Sequence, residues 1–220
     1  MHRPQNPLLA SPLKAALAGK QHIIWDWNGT ILDDVSYAVE TINWQLARHG
    51  RPTLSYAQYR DIFDFPIRRY YDRLGFDYTR MSFEDLCHEY IEQYMSGYQV
   101  CRPFEAVLQV LRASRTQCEQ QSILSASDQS SLEQMIKHFA IGDLFDQVHG
   151  LDNRFAASKL VSGQRLIERS QVRLEDTVLV GDTLHDVEVA SALGIDILLV
   201  DHGHHSRAKL LGAEVPVVSV

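Results

Sequence analysis

The stretch His22-Ile23-Ile24-Trp25-Asp26-Trp27-Asn28-Gly29-Thr30-Ile31-Leu32-Asp33 begins as a short β-branched and aromatic run and then breaks at an aspartate. Such a run reads as a strand, and Asn28-Gly29 is a turn dipeptide, so Asp26 stands where the first strand ends. Immediately after it, Val35, Ala38, Val39, Ile42 and Leu46 recur at a helical period. They predict a helix over Asp33–His49, capped by Asp33 or Asp34 and stopped at Gly50.

Further along, shorter helices are expected over Ser55–Phe63 and Pro66–Leu74, and a longer one over Ser82–Met95, whose opening Ser82-Phe83-Glu84-Asp85 resembles a capping box. After Pro103 the pattern alternates. A helix from Phe104 to about Ala113 leads to strand Ser122–Leu124, and a helix over Ser127–Phe139 to a short strand near Gln147-Val148. A helix from Ala156 to about Arg169 precedes strand Thr177–Val180, and a helix over Thr183–Leu193 precedes strand Ile195–Val200. Alternating strands and helices imply a doubly wound parallel sheet with helices on both faces, an α/β fold. The all-helical stretch interrupts that alternation and reads as an inserted helical cap domain over 35–102. The α/β core then comprises 1–34 and 103–220.

Composition is compatible with this reading. The 220 residues suffice for one substantial core and a smaller appended domain, and 45% hydrophobic with 22% charged residues is ordinary for a globular chain. A formal net charge of −7 argues against a nucleic-acid surface, which needs basic patches. Cys87, Cys101 and Cys118 lack metal-ligand spacing and read as reduced thiols. No signal-peptide core or membrane-spanning run is apparent, and a cytoplasmic location is the expectation.

In an open parallel sheet, ligands sit outside the carboxyl ends of the strands. Three such ends carry chemistry: Asp26 after the first strand, Ser125 after Leu124, and Gly181-Asp182-Thr183-Leu184-His185-Asp186 after Val180, with Lys159 on the helical segment between. Carboxylates, a hydroxyl and a lysine at one sheet edge suit phosphoryl transfer. A carboxylate can accept the phosphoryl group, carboxylates with a substrate phosphate can hold Mg²⁺, and lysine and metal stabilise the transferring charge.

The ordered set resembles the haloacid dehalogenase superfamily, in the branch that includes phosphoglycolate phosphatases and β-phosphoglucomutases. The family pattern is Asp-x-Asp-Gly-Thr, a Ser or Thr after strand two, a Lys, and a late Gly-Asp-x-x-x-Asp, and the likeness covers about His22 to Val200. The resemblance implies an Mg²⁺-dependent hydrolase of a small phosphorylated metabolite with Asp26 as nucleophile. It further implies a metal site from Asp26, the backbone carbonyl of Asn28, and Asp182, with Asp186 supporting the metal shell or Lys159. Thr30, Ser125 and Lys159 would meet the substrate, and the helical insertion would be the cap. Arg68, Arg69 and Arg73 follow Phe65-Pro66 in the early cap segment that sets substrate choice in related enzymes, and Arg68 is the expected grip on a second anionic group.

One position departs. Where the family's phosphatases carry the acid/base Asp, this chain has Asn28, and an amide has no titratable proton. Turn formation by Asn-Gly is one explanation. Slower hydrolysis, a substitute acid among His202, His204 and His205, or a substrate with a good leaving group are others. Phosphotransferase or phosphomutase activity and a regulatory phosphate-ligand-binding role stay open on the same ground. A Schiff-base lysine in the insertion is excluded, because no lysine lies between Lys20 and Lys137. Trp25 is expected in the core, and Trp27 beside the pocket.

Overall fold

The structure, a computed structural model, describes residues 11–152 and 159–220. Strand β1 (His22–Trp25) is buried along its whole length, as a central strand must be when both faces are covered. Its alternation sends Ile23 and Trp25 into one apolar layer and Ile24 into the other. Around it lie β4 (Gln120–Asp128), β5 (Gln147–Leu151), β6 (Thr177–Gly181), β7 (Asp196–Val200) and β8 (Val217–Val218). They form one parallel sheet of order β5-β4-β1-β6-β7-β8. The chain winds outward in both directions from β1, making a topological switch point there.

Register converts this topology into a site. Trp25 pairs with Ile123 on one side and Val180 on the other, which brings Asp26, Leu124 and Gly181 level at the sheet edge. The helices α1 (Pro12–Ala16), α6 (Glu105–Ser114), α7 (Gln129–Phe139), α8 (Leu160–Arg169), α9 (Leu184–Leu193) and α10 (Arg207–Leu211) complete this unit.

Between the short strands β2 (Leu32–Asp33) and β3 (Arg102–Pro103) the chain is helical: α2 (Val35–Arg48), α3 (Tyr56–Ile62), α4 (Ile67–Leu74) and α5 (Phe83–Gly97). β2 and β3 pair antiparallel, Leu32 with Pro103 and Asp33 with Arg102, so the chain leaves and returns at adjacent points. The helical segment has its own apolar cluster, in which Val35, Ile42 and Leu46 of α2 meet Tyr59, Tyr70, Tyr71 and Leu86. Its caps follow the sequence: Ser55 and Gln58 form a reciprocal capping box, and Ser82 Oγ accepts from the Asp85 amide.

Two expectations need correction, and a third falls partly outside the described residues. The helix predicted from Ser127 begins at Gln129, because β4 runs on to Asp128, whose side chain caps the helix through the Ser131 amide. The first residues of the helix predicted from Ala156 lie outside the described residues, and the described helix starts at Leu160. Trp27 is fully buried against Phe139 in the core and does not line the pocket. The segments β2, β3, β8, α1 and α10, too short to show a period, are additions. Among the described residues no helix is long and apolar enough to cross a membrane.

The base of β1 carries a buried histidine. His22 shares its two ring nitrogens between Ser122 Oγ (2.9 Å) and Ser170 Oγ (3.1 Å). Burial pushes its imidazole down to about 4, against a smaller opposing pull from Asp146. The unfolded chain therefore binds more protons than the folded one below about 6.5, and stability is lost as pH falls from about 6.5 towards 4. His22→Gln keeps a hydrogen-bonding side chain and removes this titration. Relative to wild type, it should gain on the order of 2 kcal/mol between pH 7 and pH 4.5 in urea midpoints. A difference that does not change with pH would refute the assignment.

Candidate active site

Asp26 is fixed by its position: its backbone amide continues the β1–β6 ladder by donating to Val180 O at 2.8 Å, which turns the side chain out at the sheet edge. Lys159, the residue before α8, reaches the same point. Its ammonium donates to Asp26 Oδ1 at 2.5 Å and to Leu124 O at 3.1 Å, and lies 2.6 Å from Asp186 Oδ1. Asp186 sits in the first turn of α9. Its other oxygen accepts from the amide and hydroxyl of Thr183, so the N-terminal cap also aims the carboxylate. Asp182 accepts from Thr30 Oγ1 at 2.9 Å and from the His204 amide at 2.5 Å. Thr30, expected against substrate, is fully buried and does not line the cavity; its hydroxyl holds Asp182. Gly29 has φ +71°, and a Cβ there would lie 2.4 Å from Asp182 Oδ2, so the loop approaches the carboxylate only with glycine in this place.

Asn28 is held by its side chain as well as by its turn. Its carboxamide oxygen accepts from Ser127 Oγ at 2.8 Å, and its amide donates to Asp34 Oδ2 at 2.8 Å and Tyr94 Oη at 3.0 Å. The orientation follows from the partner, since ionised Asp34 can only accept. Asp34 also accepts from the Gly29 amide at 2.8 Å and Tyr94 Oη at 2.6 Å. Burial opposes its charge, but His204 and these hydrogen bonds outweigh that and hold the carboxyl below its usual range. His204 Nε2 lies 3.3 Å from Asp34 Oδ1, and its Nδ1 is 2.8 Å from Tyr59 Oη. Burial opposes its protonation too, yet Asp34, then Asp182 and Asp26, raise the imidazole to about 9.

Of the three loop histidines, His204 alone borders the cavity. His202 packs on Phe104 with ring centroids 4.1 Å apart, and lies 3.2 Å from Thr30 O. His205 Nδ1 accepts from the Leu184 amide. Ser125 is buried, borders the cavity, and accepts from the Ser127 amide at 3.1 Å. Arg68 lines the far side, its guanidinium over the rings of Tyr78 (4.5 Å) and Phe83 (4.9 Å). Arg69 and Arg73 are not lining residues, and Arg73 pairs with Asp64. The sequence reading missed Asp34, Tyr59, Tyr94 and Ser127. The only signal for Asp34 was the Asp33-Asp34 pair, equally readable as a helix cap.

Asp26, Asp182 and Asp186 are buried and offer oxygens all within 4.8 Å of one another. With Asp34 they make four carboxylates facing two cationic side chains, Lys159 and His204. Burial first, then mutual repulsion among the acids, pushes Asp26 up to about 8 and Asp182 to about 6 against the pull of Lys159 and His204 respectively. A divalent cation relieves that crowding, and an all-oxygen set suits Mg²⁺. The Asn28 carbonyl accepts no hydrogen bond among the described residues, because Trp27 O and the Gly29 amide close the turn on either side of it. The residues present fit the ion.

A 5'-nucleotidase from Pseudomonas aeruginosa is 23% identical over 194 residues, covering 86% of each chain. A haloacid dehalogenase-like family protein from Streptococcus pneumoniae superposes with TM-score 0.78 at 19% identity, over 91% of this chain and 94% of that one. A predicted phosphoglycolate phosphatase from Haemophilus somnus gives TM-score 0.75 at 14% identity, over 92% and 94%. The model of the haloacid dehalogenase-like hydrolases matches residues 23–200, β1 to the end of β7 with every group of the acidic edge between them, and the chain belongs to that family.

Proposed function

We propose that the protein is an Mg²⁺-dependent phosphomonoester hydrolase that works through an aspartyl-phosphate at Asp26, with the helical segment 35–102 as the cap over that site. The observation that carries this reading is the placement of Asp26 at the sheet edge, 2.5 Å from a buried lysine and facing a cavity of about 280 Å³. The names of two similar proteins, a 5'-nucleotidase and a predicted phosphoglycolate phosphatase, are consistent with it. Mg²⁺ would be held by Asp26, Asp182 and the Asn28 carbonyl, with Asp186 behind them, and would supply charge neutralisation for the phosphoryl oxygens.

The chain's own groups have separable tasks. Asp26 is the nucleophile; Lys159 orients it and offers an ammonium to the phosphoryl oxygens. Asp186 keeps Lys159 protonated: burial would lower its pKa, but Asp186 and Asp26 raise it. Ser125 is the hydroxyl donor to a phosphoryl oxygen. Thr30 positions Asp182, and Arg68 is the cation available to an anionic tail. The helical segment excludes water by closing on the loop 201–206: Arg60 donates to Asp201 O and His205 O, and the Ser206 amide to Arg60 O. Transfer to an acceptor hydroxyl is a second reading, favoured by Asn28, which cannot activate water.

Phosphate release from phenyl phosphate tests the proposal. We expect turnover with millimolar Mg²⁺, loss with EDTA and recovery with excess Mg²⁺. Release that is indifferent to EDTA would overturn the metal-dependent reading.

A further inference from the structure

The cavity over Asp26 has two walls of different character. Asp26, Ser125 and Lys159 form the floor, and the helical segment supplies the roof. More than half of the residues that segment contributes are Phe or Tyr, among them Phe63, Phe65, Tyr70, Phe83, Tyr90 and Tyr94. Its only charged contribution is Arg68, stacked on two rings and 3.9 Å from Asp72. Such a roof suits a flat apolar group and offers little to a compact, highly charged metabolite. One polar atom in it is uncommitted: the Tyr70 hydroxyl is buried and has no hydrogen-bond partner among the described residues. The volume, about 280 Å³, lies just below the usual range of ligand pockets and accommodates a phosphate with a single ring.

Chemistry at the scissile bond points the same way. An ester oxygen leaving from phosphorus needs a proton unless its anion is stable. The side chain in the acid position is the carboxamide of Asn28, tied to Ser127, Asp34 and Tyr94, with no proton to give. Of the other proton-bearing groups on the lining, Tyr94 is committed to Asp34, Tyr59 to His204, and His185 Nδ1 to Glu188 while its ring stacks on Phe65. A phenol leaves as an anion whose parent has a pKa of about 10, whereas an alcohol lies closer to the ~15.7 of water.

We infer, building on the phosphohydrolase reading, that the preferred substrates are aryl phosphate monoesters, with a single aromatic ring bonded directly to the ester oxygen and stacked under the aromatic roof. In the first step an Asp26 carboxylate oxygen forms a bond to phosphorus as the phosphorus–aryl oxygen bond breaks. The electron pair leaves with the aryl oxygen, which takes a proton from solvent water. In the second step water attacks phosphorus, the bond to Asp26 breaks with its electron pair returning to the carboxylate, and the proton of the attacking water passes to the phosphate or to solvent.

Three substrates separate ring recognition from leaving-group chemistry in wild-type enzyme with Mg²⁺. Phenyl phosphate has the ring and a phenolate leaving group, benzyl phosphate the ring and an alkoxide, butyl phosphate an alkoxide alone. We expect kcat/KM for phenyl phosphate to exceed that for benzyl phosphate by about 100-fold. Benzyl should exceed butyl by about 3- to 10-fold, the value of an aromatic contact. Phenyl and benzyl esters turned over equally would overturn the aryl-ester claim, and benzyl equal to butyl would overturn the role of the aromatic roof. Butyl phosphate equal to or faster than phenyl phosphate would overturn both while leaving the phosphohydrolase reading intact. If none of the three releases phosphate, that underlying reading falls as well.

Discussion

Asp26→Asn should abolish phosphate release, by at least about 10⁴-fold, while leaving the protein folded and, in metal-free buffer, no less stable than wild type. The first half follows from removing the atom that would bond to phosphorus. The second comes from the electrostatics of the edge. Burial first, then Asp186 and Asp182, disfavour the Asp26 carboxylate despite Lys159, which puts it near 8. A neutral amide in its place removes a repelled charge, and Lys159 still keeps Asp186 at 2.6 Å. Mg²⁺ should reverse the order, because the ligand that stabilises the folded state by mass action loses one of its oxygens. Thermal unfolding with and without Mg²⁺ and beryllofluoride, beside an assay of phosphate release, checks both parts. Appreciable turnover by the variant would exclude the covalent route.

Asn28→Asp is the second change with a large expected effect, and the structure makes it less benign than its size suggests. The amide of Asn28 donates 2.8 Å to Asp34, which accepts from two other donors, the Gly29 amide and Tyr94 Oη, and pairs with His204. A carboxylate at 28 would face that buried carboxylate, so its pKa should rise above the unfolded value. The penalty is then absent below about pH 3.9 and appears as pH rises through and above it, reaching about 1–3 kcal/mol near neutrality. The same repulsion holds a proton on position 28, the form a general acid requires. With benzyl phosphate, kcat/KM should therefore increase about 10- to 100-fold, and with phenyl phosphate much less. Adding Asp34→Asn should recover stability but also removes the partner of His204, which a second unfolding series would reveal. An unchanged benzyl phosphate rate in Asn28→Asp would show that another group already protonates the leaving oxygen.

How far the sequence could carry this depended on whether the relevant contact was local. The strand His22–Trp25, the aspartate behind it and the late Asp182–Asp186 pair are written in periodicity and spacing, and the parallel register then brings Ser125 and Asp26 to one edge without further information. Lys159 needed the ordered motif set, since a lone lysine beside a helix reads as a surface residue. Asp34 was visible only as a helix cap. Its actual employment, four hydrogen-bonding or ionic partners including Tyr94 some 60 positions away, exists only after the helical segment has folded back over the core. Trp27 was misjudged for a related reason: proximity to Asp26 in sequence places it next to the site but not facing it, and its ring finds Phe139.

The two-residue pair β2–β3 has a further consequence. Leu32 and Asp33 leave the sheet unit beside Arg102 and Pro103, which return to it, so the two covalent links to everything between lie side by side. None of those intervening residues contributes a strand to the six-stranded sheet, and Asp26, Lys159, Asp182 and Asp186 all lie outside them. Another helical insert of different lining, grafted between the same two strands, would therefore change what faces Asp26, provided that it brought its own partners for His204 and Asp34, which Tyr59 and Tyr94 hold here.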